Sequence, residues 1–544
     1  AEVVEKVRAV SEEPCSIDFC RTVLKDHPTK LAVEVAMDLD VPAEEEGKPF
    51  GIVTRPVKSD RYATWRAYLE GLGGTDGSKD FQTSLLLKRK ARIAKLNVFL
   101  KQQTGQPLSE LSDDTLTQLK NDETFCWLLA DVFEPVTIIF EPELKKKLGV
   151  SVSKQGPSFC KYPALNLLAG ENAIGCLEED NKLIIRRTDS CLFLGDVGDT
   201  MTVDKSIEED SLGDIMGHEV FHSIMYDMMG KDSPGKSVSL SKVGHDAHVV
   251  SDYSLALSEG WAELFEAWSG IDNAAFDNRG GRSEVTRFIL GRQVPIRRNK
   301  YVQADFEKFR NTKKRGKVKT GSQMVANEGL GAGLLYIVLT HDKIEDSFSL
   351  LLEAMYLHKP QNLCQMFEAM INTTDDGPTK RLLYMTFLHS TKFATVSGEA
   401  RQLYQDSFKA RLDYFEAKNT QADADEIAQL QAAREQTKSD YYDFIKPIIN
   451  DVMAGNIKLD ECLGPEIWLD KRDEDGKLVA RRNLNTMTPY EMVMFDISGM
   501  GSKFIEEVRD KQGCIYSLDC LRGLGQEDMA ILEQLVADFS GTKK

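Results

Sequence analysis

The chain has 544 residues, 42% hydrophobic and 28% charged, with a formal net charge of −18. This is an ordinary globular composition, long enough for several domains with sizeable cores, and it excludes a wholly disordered chain. No run of 18 uncharged apolar residues occurs, so no membrane-spanning helix is expected. The acidic balance argues against general nucleic-acid binding through whole-chain electrostatics.

The chain begins at Ala1 and shows no apolar signal core. Its cysteines are Cys15, Cys20, Cys126, Cys160, Cys176, Cys191, Cys364, Cys462, Cys514 and Cys520. The even count allows disulfides, and Cys15/Cys20 and Cys514/Cys520 are close enough in sequence to pair, but connectivity cannot be read from spacing. Cys126, in Phe125-Cys126-Trp127-Leu128-Leu129, reads as a buried free thiol. Together these features lean towards an exported protein, periplasmic or extracellular, with a cytoplasmic one left open.

In chain order, residues 1–130 read as a polar, helical N-terminal region. Within it, Phe81 to Gln103 sets Leu85, Leu86, Leu87, Ile93, Leu96, Phe99 and Leu100 among lysines and arginines. The basic positions could contact an acidic partner, but a solvated face is the expectation. Val136-Thr137-Ile138-Ile139-Phe140 opens a strand-rich stretch that lasts to about residue 200, with Asn181 to Thr188 as a further strand. An acidic, polar helix start follows at Ser206 to Ser211. Leu212, Ile215, Met216, Val220, Phe221, Ile224 and Met225 then fall at helical spacing, and Gly230 is a plausible stop.

That helix carries His218-Glu219-Val220-Phe221-His222, a match to H-E-x-x-H. Positions i and i+4 share a helix face, so both imidazoles can bind one Zn²⁺. Glu219 beside them can take a proton from metal-bound water. A catalytic zinc needs a third protein ligand. The continuation x-x-G-x-x-H fails, because its glycine and histidine slots hold Met225 and Met228. The next candidate is Glu259 in Leu257-Ser258-Glu259-Gly260-Trp261-Ala262-Glu263-Leu264, a second amphipathic helix on which Glu259 and Glu263 stand one turn apart. Glu259 is assigned as the third ligand, with Glu263 orienting a ligand histidine through its free N–H. A rival set, His245, Asp246, His248 and Asp252, occupies the loop between the two helices.

These residues resemble the gluzincin class of zinc metallopeptidases, the thermolysin-like group whose third ligand is glutamate. The likeness covers roughly residues 130–400, and the interval from His222 to Glu259 is longer than in thermolysin itself. The resemblance implies hydrolysis of peptide bonds in a peptide or protein substrate, with one catalytic zinc and Glu219 as general base. It also implies a Tyr or His that stabilises the oxyanion. Tyr336, His341 and Tyr301 are the candidates. Tyr336 and His341 belong to a third apolar helix expected to begin at Met324-Val325-Ala326-Asn327-Glu328-Gly329.

Helical patterns continue through Phe348 to Met370 and Lys380 to Phe393. A charged helical arm follows over 401–450, with its turn at Asn419 to Asp423. Asp470 to Gly476 reads as a charged linker or hairpin tip within 451–482. In 483–544, Ile497-Ser498-Gly499-Met500-Gly501 and Leu521-Arg522-Gly523-Leu524-Gly525 repeat one pattern, each ahead of an amphipathic helix. The tandem resembles a double helix-hairpin-helix domain. The likeness implies phosphate or partner contacts at Gly499, Gly501, Lys503, Gly523 and Gly525, where glycine lets backbone N–H groups approach an anion. The segment is itself acidic, so nucleic acid is not the favoured partner.

The expected fold is α+β. It is a mostly helical multidomain chain, with a small sheet packed on a zinc-binding helix pair in 131–400 and an all-α C-terminal hairpin module. Two other readings stand beside the peptidase: a factor that binds nucleic acid or protein through the hairpin module, and an inactive metallopeptidase-like scaffold.

Overall fold

The structure, a computed structural model, describes residues 79–107, 110–119, 212–234, 249–269, 309–311 and 316–539. It also describes the strand segments 33–36, 52–54, 136–139, 158–159 and 191–193, and residues 122, 124, 125, 128 and 132. The helices are α1 (Lys79–Thr104), α2 (Asp113–Leu119), α3 (Leu212–Met229), α4 (Tyr253–Ser269), α5 (Gly321–Val325), α6 (Glu328–Leu339) and α7 (Ser347–His358). They continue as α8 (Leu363–Thr373), α9 (Gly377–Thr391), α10 (Gly398–Asn419), α11 (Ala424–Met453), α12 (Pro489–Met494), α13 (Gly499–Gln512) and α14 (Gln526–Leu535). The strands are β1 (Val33–Ala36), β2 (Ile52–Thr54), β3 (Val136–Ile139), β4 (Ser158–Phe159), β5 (Cys191–Phe193), β6 (Ile467–Arg472), β7 (Leu478–Asn483) and β8 (Val536–Phe539). The chain is mostly helical with small sheets, a coarse α+β architecture.

Two compact units divide the chain: Ala1–Ser233 with Phe265–Gly281 and Leu351–Lys359, and Pro234–Leu264 with Arg282–Leu350 and Pro360–Lys544. In the first, one sheet runs in the order β2-β1-β3-β5-β4. β1 pairs in parallel with β2 and β3 (Val33↔Ile52, Val33↔Val136), β3 with β5 in parallel (Thr137↔Cys191), and β4 with β5 antiparallel. β3 is the strand expected at 136–140. β1 and β2 fall within the region expected to be helical, so that region also contributes to the sheet. α3 lies against β4 and β5 and packs along α1. The strand expected at 181–188 lies outside the described residues.

The second structural surprise of this unit is α1. Its basic residues, expected on a solvated face, are divided: Lys90 and Lys101 are exposed, but Lys88, Arg89 and Arg92 are sealed from solvent. Lys88 Nζ donates to Asp227 Oδ2 (2.7 Å) and Ser223 Oγ (2.8 Å) on α3, and Arg92 Nε donates to the same Asp227 oxygen at 3.1 Å. Burial, then the neighbouring Arg92, pulls the Arg89 pKa down to about 10. Such charges tolerate burial only when paired and hydrogen-bonded.

In the second unit, the third helix expected from Met324 is broken into α5 and α6. Asn327 ends the run: its side chain accepts from Leu330 N at 3.0 Å as the N-cap of α6, and its Nδ2 donates to Val249 O at 3.1 Å. Thr320 and Gln323 form a capping box on α5. The charged arm is an antiparallel helical hairpin, α10 and α11, turning at Thr420 to Asp423 where expected. Arg434 stacks over Tyr414 and Phe415 across it (5.2 and 5.5 Å). β6 and β7 form a hairpin (Trp468↔Asn483); of the tip expected at 470–476, Asp470 to Arg472 belong to β6 and the turn spans 473–477.

The C-terminal module is not all-α. β8 returns after α14 to pair antiparallel with β6 (Ile467↔Phe539), making a sheet of order β7-β6-β8. Ile467 and Leu469 of β6 share one buried core with Leu484, Met492, Ile505 and Leu532. Cys514 and Cys520 are free thiols and do not pair. Cys15, Cys20 and Cys126 lie outside the residues whose side chains are described. Among the described residues no helix is long and apolar enough to cross a membrane.

Candidate metal centre

The local sequence of α3 leaves one stripe for chemistry. Over 217–229 every described residue is buried except His218, Glu219, His222, and Tyr226, which are half-buried. Val220, Phe221, Ile224, Met225, Met228 and Met229 fill the apolar side. Ser223 and Asp227 form the buried polar side that holds Lys88 and Arg92. Lys359 Nζ donates to Met228 O, so a cation closes the C-terminal end of α3. Burial lowers the Lys359 pKa to about 8. Gly230 follows with φ +60°, a left-handed residue that stops the helix as expected. The acidic start expected at 206–211 lies outside the described residues.

The His218 and His222 Nε2 atoms stand 3.1 Å apart, with ring centroids 4.8 Å apart and planes at 78°. Two N–H groups cannot face each other at that distance. Either one Nε2 donates to the other, or both rings carry their proton on Nδ1 and aim two lone pairs at one point. Two nitrogens on a tetrahedral zinc at 2.0–2.1 Å sit about 3.3 Å apart. The pair therefore fits a shared ion without rearrangement of α3.

On α4 the pattern repeats. From Ala256 to Leu264 only Glu259 and Glu263 are half-buried, and every other residue is buried. Gly260 shows why the helix can pack this way. A Cβ there would lie 2.9 Å from Glu328 O and 3.1 Å from Ala332 N on α6. Gly331 faces it from α6, where a Cβ would lie 3.4 Å from Ala256 O. Trp261 is fully buried and stacks on Phe348, with centroids 6.5 Å apart and planes at 6°. Asp252 is the N-cap, accepting from Leu255 N at 2.8 Å and Ser254 Oγ at 3.0 Å. It thus serves the helix, and it is not in the candidate ligand group. Of the rival set, His245, Asp246 and His248 lie outside the described residues.

Among the described residues, one group of three His, Cys, Asp or Glu side chains could hold a metal ion: His218, His222 and Glu259, all half-buried. Two imidazole nitrogens and one carboxylate are donors that several divalent metals accept.

Of the oxyanion candidates, Tyr336 is buried on α6, one turn beyond Ala332 and on the same helix face. His341 sits in the turn after α6, its Nδ1 3.2 Å from Lys343 N and 3.3 Å from Asp342 Oδ1. Tyr301 lies outside the described residues.

In the C-terminal segment Gly501 and Gly523 serve internal contacts. Ser498 caps α13 through Gly501 N (3.0 Å). Asp528 on α14 accepts from Ser498 N and Ser498 Oγ, each at 2.7 Å. A Cβ on Gly501 would run into the Asp528 carboxylate. An internal carboxylate therefore occupies the start of α13, where an anion would be drawn. At the second hairpin a Cβ on Gly523 would meet the Phe504 ring at 2.8 Å. Gly499 and Gly525 face open space. Lys503 is exposed and lies 3.9 Å from Glu507. The acidic face of α13 is also engaged: Glu506 and Asp510 meet Lys317 (3.1 and 2.5 Å), and Asp510 meets Arg401 (3.2 Å).

Sequence reasoning missed Lys88, Arg92 and Asp227, which brace the histidine helix, and Arg482, which meets the start of α4. The one available signal was Gly260, since a glycine inside a helix pattern marks close approach. No protein-family model, no curated protein and no solved structure matches the chain.

Proposed function

We propose that this chain is a zinc-dependent peptidase of gluzincin type, with His218, His222 and Glu259 as metal ligands. The observation that carries the reading is the pair of imidazole Nε2 atoms 3.1 Å apart on the one half-exposed stripe of a buried helix, with Glu219 in the same stripe. When bound, zinc polarises a scissile carbonyl and acidifies its water. Glu219 takes the water proton and passes it to the leaving amine. Glu263, one turn from Glu259, orients a ligand imidazole, which fixes its tautomer. Tyr336, on the helix that meets α4 at Gly260, would supply the hydroxyl donor for developing negative charge on the substrate carbonyl.

The nucleic-acid reading has less support, because the chain is acidic and Asp528 fills the first hairpin. The peptidase reading is tested by cleavage of a peptide library with wild type and Glu219→Gln. Cleavage by wild type, with turnover abolished and zinc retained in the variant, supports it. Turnover that persists in the variant contradicts the role of Glu219. Full zinc occupancy with no cleavage favours the scaffold reading.

A further inference from the structure

We propose that the C-terminal module sets the metal helix: Arg482, at the end of β7, is a positioning residue that fixes the start of α4 and thereby the place of Glu259. The proposal rests on the reading of Glu259 as a zinc ligand.

Arg482 is 2% exposed, and its Nη2 donates to Val250 O at 2.7 Å. The same nitrogen lies 2.8 Å from Glu491 Oε1, the residue that completes the capping box of α12. One guanidinium therefore ties the hairpin module to the residues immediately before α4. Burial raises the pKa of Asp252, the N-cap of α4, and the Arg482 charge partly offsets that shift. Asp252 is fully buried; its Oδ1 caps the helix, while its Oδ2 accepts no hydrogen bond. Glu466, just before β6, is a second buried carboxyl, and the nearby Asp252 adds to burial in raising its pKa. Arg482 thus pairs with Glu491 and acts on the charge of Asp252.

The rest of the α4 entry is equally tied down. Val250 forms an antiparallel bridge to Asn327, Ser251 N donates to Ala326 O at 2.8 Å, and Tyr253 Oη donates to Gly464 O at 3.0 Å. From Asp252 to Glu259 is about two helical turns, roughly 10 Å of stiff rod. A shift at the cap is therefore carried to Glu259, and ligand placement tolerates little error.

The test measures Zn²⁺ affinity by chelator competition on the full chain, with melting temperature alongside, for wild type, Arg482→Lys, Arg482→Met and Arg482→Met/Asp252→Asn. Arg482→Met is expected to weaken zinc binding by about tenfold or more, as loss of outer supporting contacts does. Arg482→Lys keeps the charge but not the fork, and is expected to lose a few-fold. Asn at 252 still caps the helix and removes the stranded carboxylate, so the double variant should recover most of the affinity. A general packing lesion would not be reversed in that way. Unchanged zinc affinity in a folded Arg482→Lys or Arg482→Met, or no recovery in the double variant, overturns the proposal. If Arg482→Met does not fold, Arg482→Lys decides. Absence of zinc from wild type instead overturns the metal reading, which keeps the two failures apart.

Discussion

Lys88 Nζ stands 2.7 Å from Asp227 Oδ2, and neither side chain reaches solvent. Arg92 Nε shares that oxygen at 3.1 Å. One carboxylate on the histidine helix thus serves two buried cations from a helix far away in sequence. Asp227→Asn removes the charge that both cations share, and is expected to cost about 3–5 kcal/mol. Lys88→Met leaves Arg92 on Asp227 and should cost clearly less. Urea unfolding of the two variants checks the order; equal costs would contradict the shared-acceptor account.

Gly260 has no room for a methyl group, since a Cβ would lie 2.9 Å from Glu328 O. That neighbour is backbone and cannot rotate away. Gly260→Ala is expected to destabilise by about 1–3 kcal/mol despite the better helix propensity of alanine. A stability measurement that finds the variant unchanged or improved would mean that α4 and α6 do not cross at this residue.

Glu466 should make stability fall with rising pH. Burial, then the nearby Asp252, pushes its pKa up to about 7, above the usual carboxylate value of 4.5. The folded state therefore holds a proton that the unfolded chain releases. The stabilisation is full below about pH 4.5 and is lost as pH rises to about 7. Urea midpoints of the metal-free protein across that window should fall with pH. Glu466→Gln should flatten the dependence, and an identical slope in the variant would remove Glu466 as its source.

Asp528 holds the first hairpin, accepting from Ser498 N and Ser498 Oγ at 2.7 Å. Asp528→Ala leaves that backbone N–H without its acceptor and is expected to cost about 1–3 kcal/mol. Wild-type protein should show no salt-dependent shift of duplex DNA in a binding titration at low ionic strength. A clear shift would restore the hairpin module as a nucleic-acid site.

What could be read from the chain was local. Histidines at 218 and 222 face one way because the helix repeat dictates it, and the arm turn at 420–423 was marked by its own residues. Long-range pairing was not legible. Lys88 and Arg92 look solvated by pattern, and their burial is made tolerable by long-range partners such as Asp227, 139 and 135 residues away. The helix break at Asn327 was hidden because the apolar spacing runs on across it; the partner that decides it is Val249 O, 78 residues upstream. The C-terminal module was expected to be all-α because the partner of β8, β6, lies before the whole hairpin module.

The most direct test of the central claim is zinc per chain by elemental analysis, after metal-replete purification, for wild type and Glu259→Ala. The account predicts one zinc in wild type, largely lost in the variant while the fold is kept. No zinc in wild type, or full zinc in folded Glu259→Ala, would contradict it.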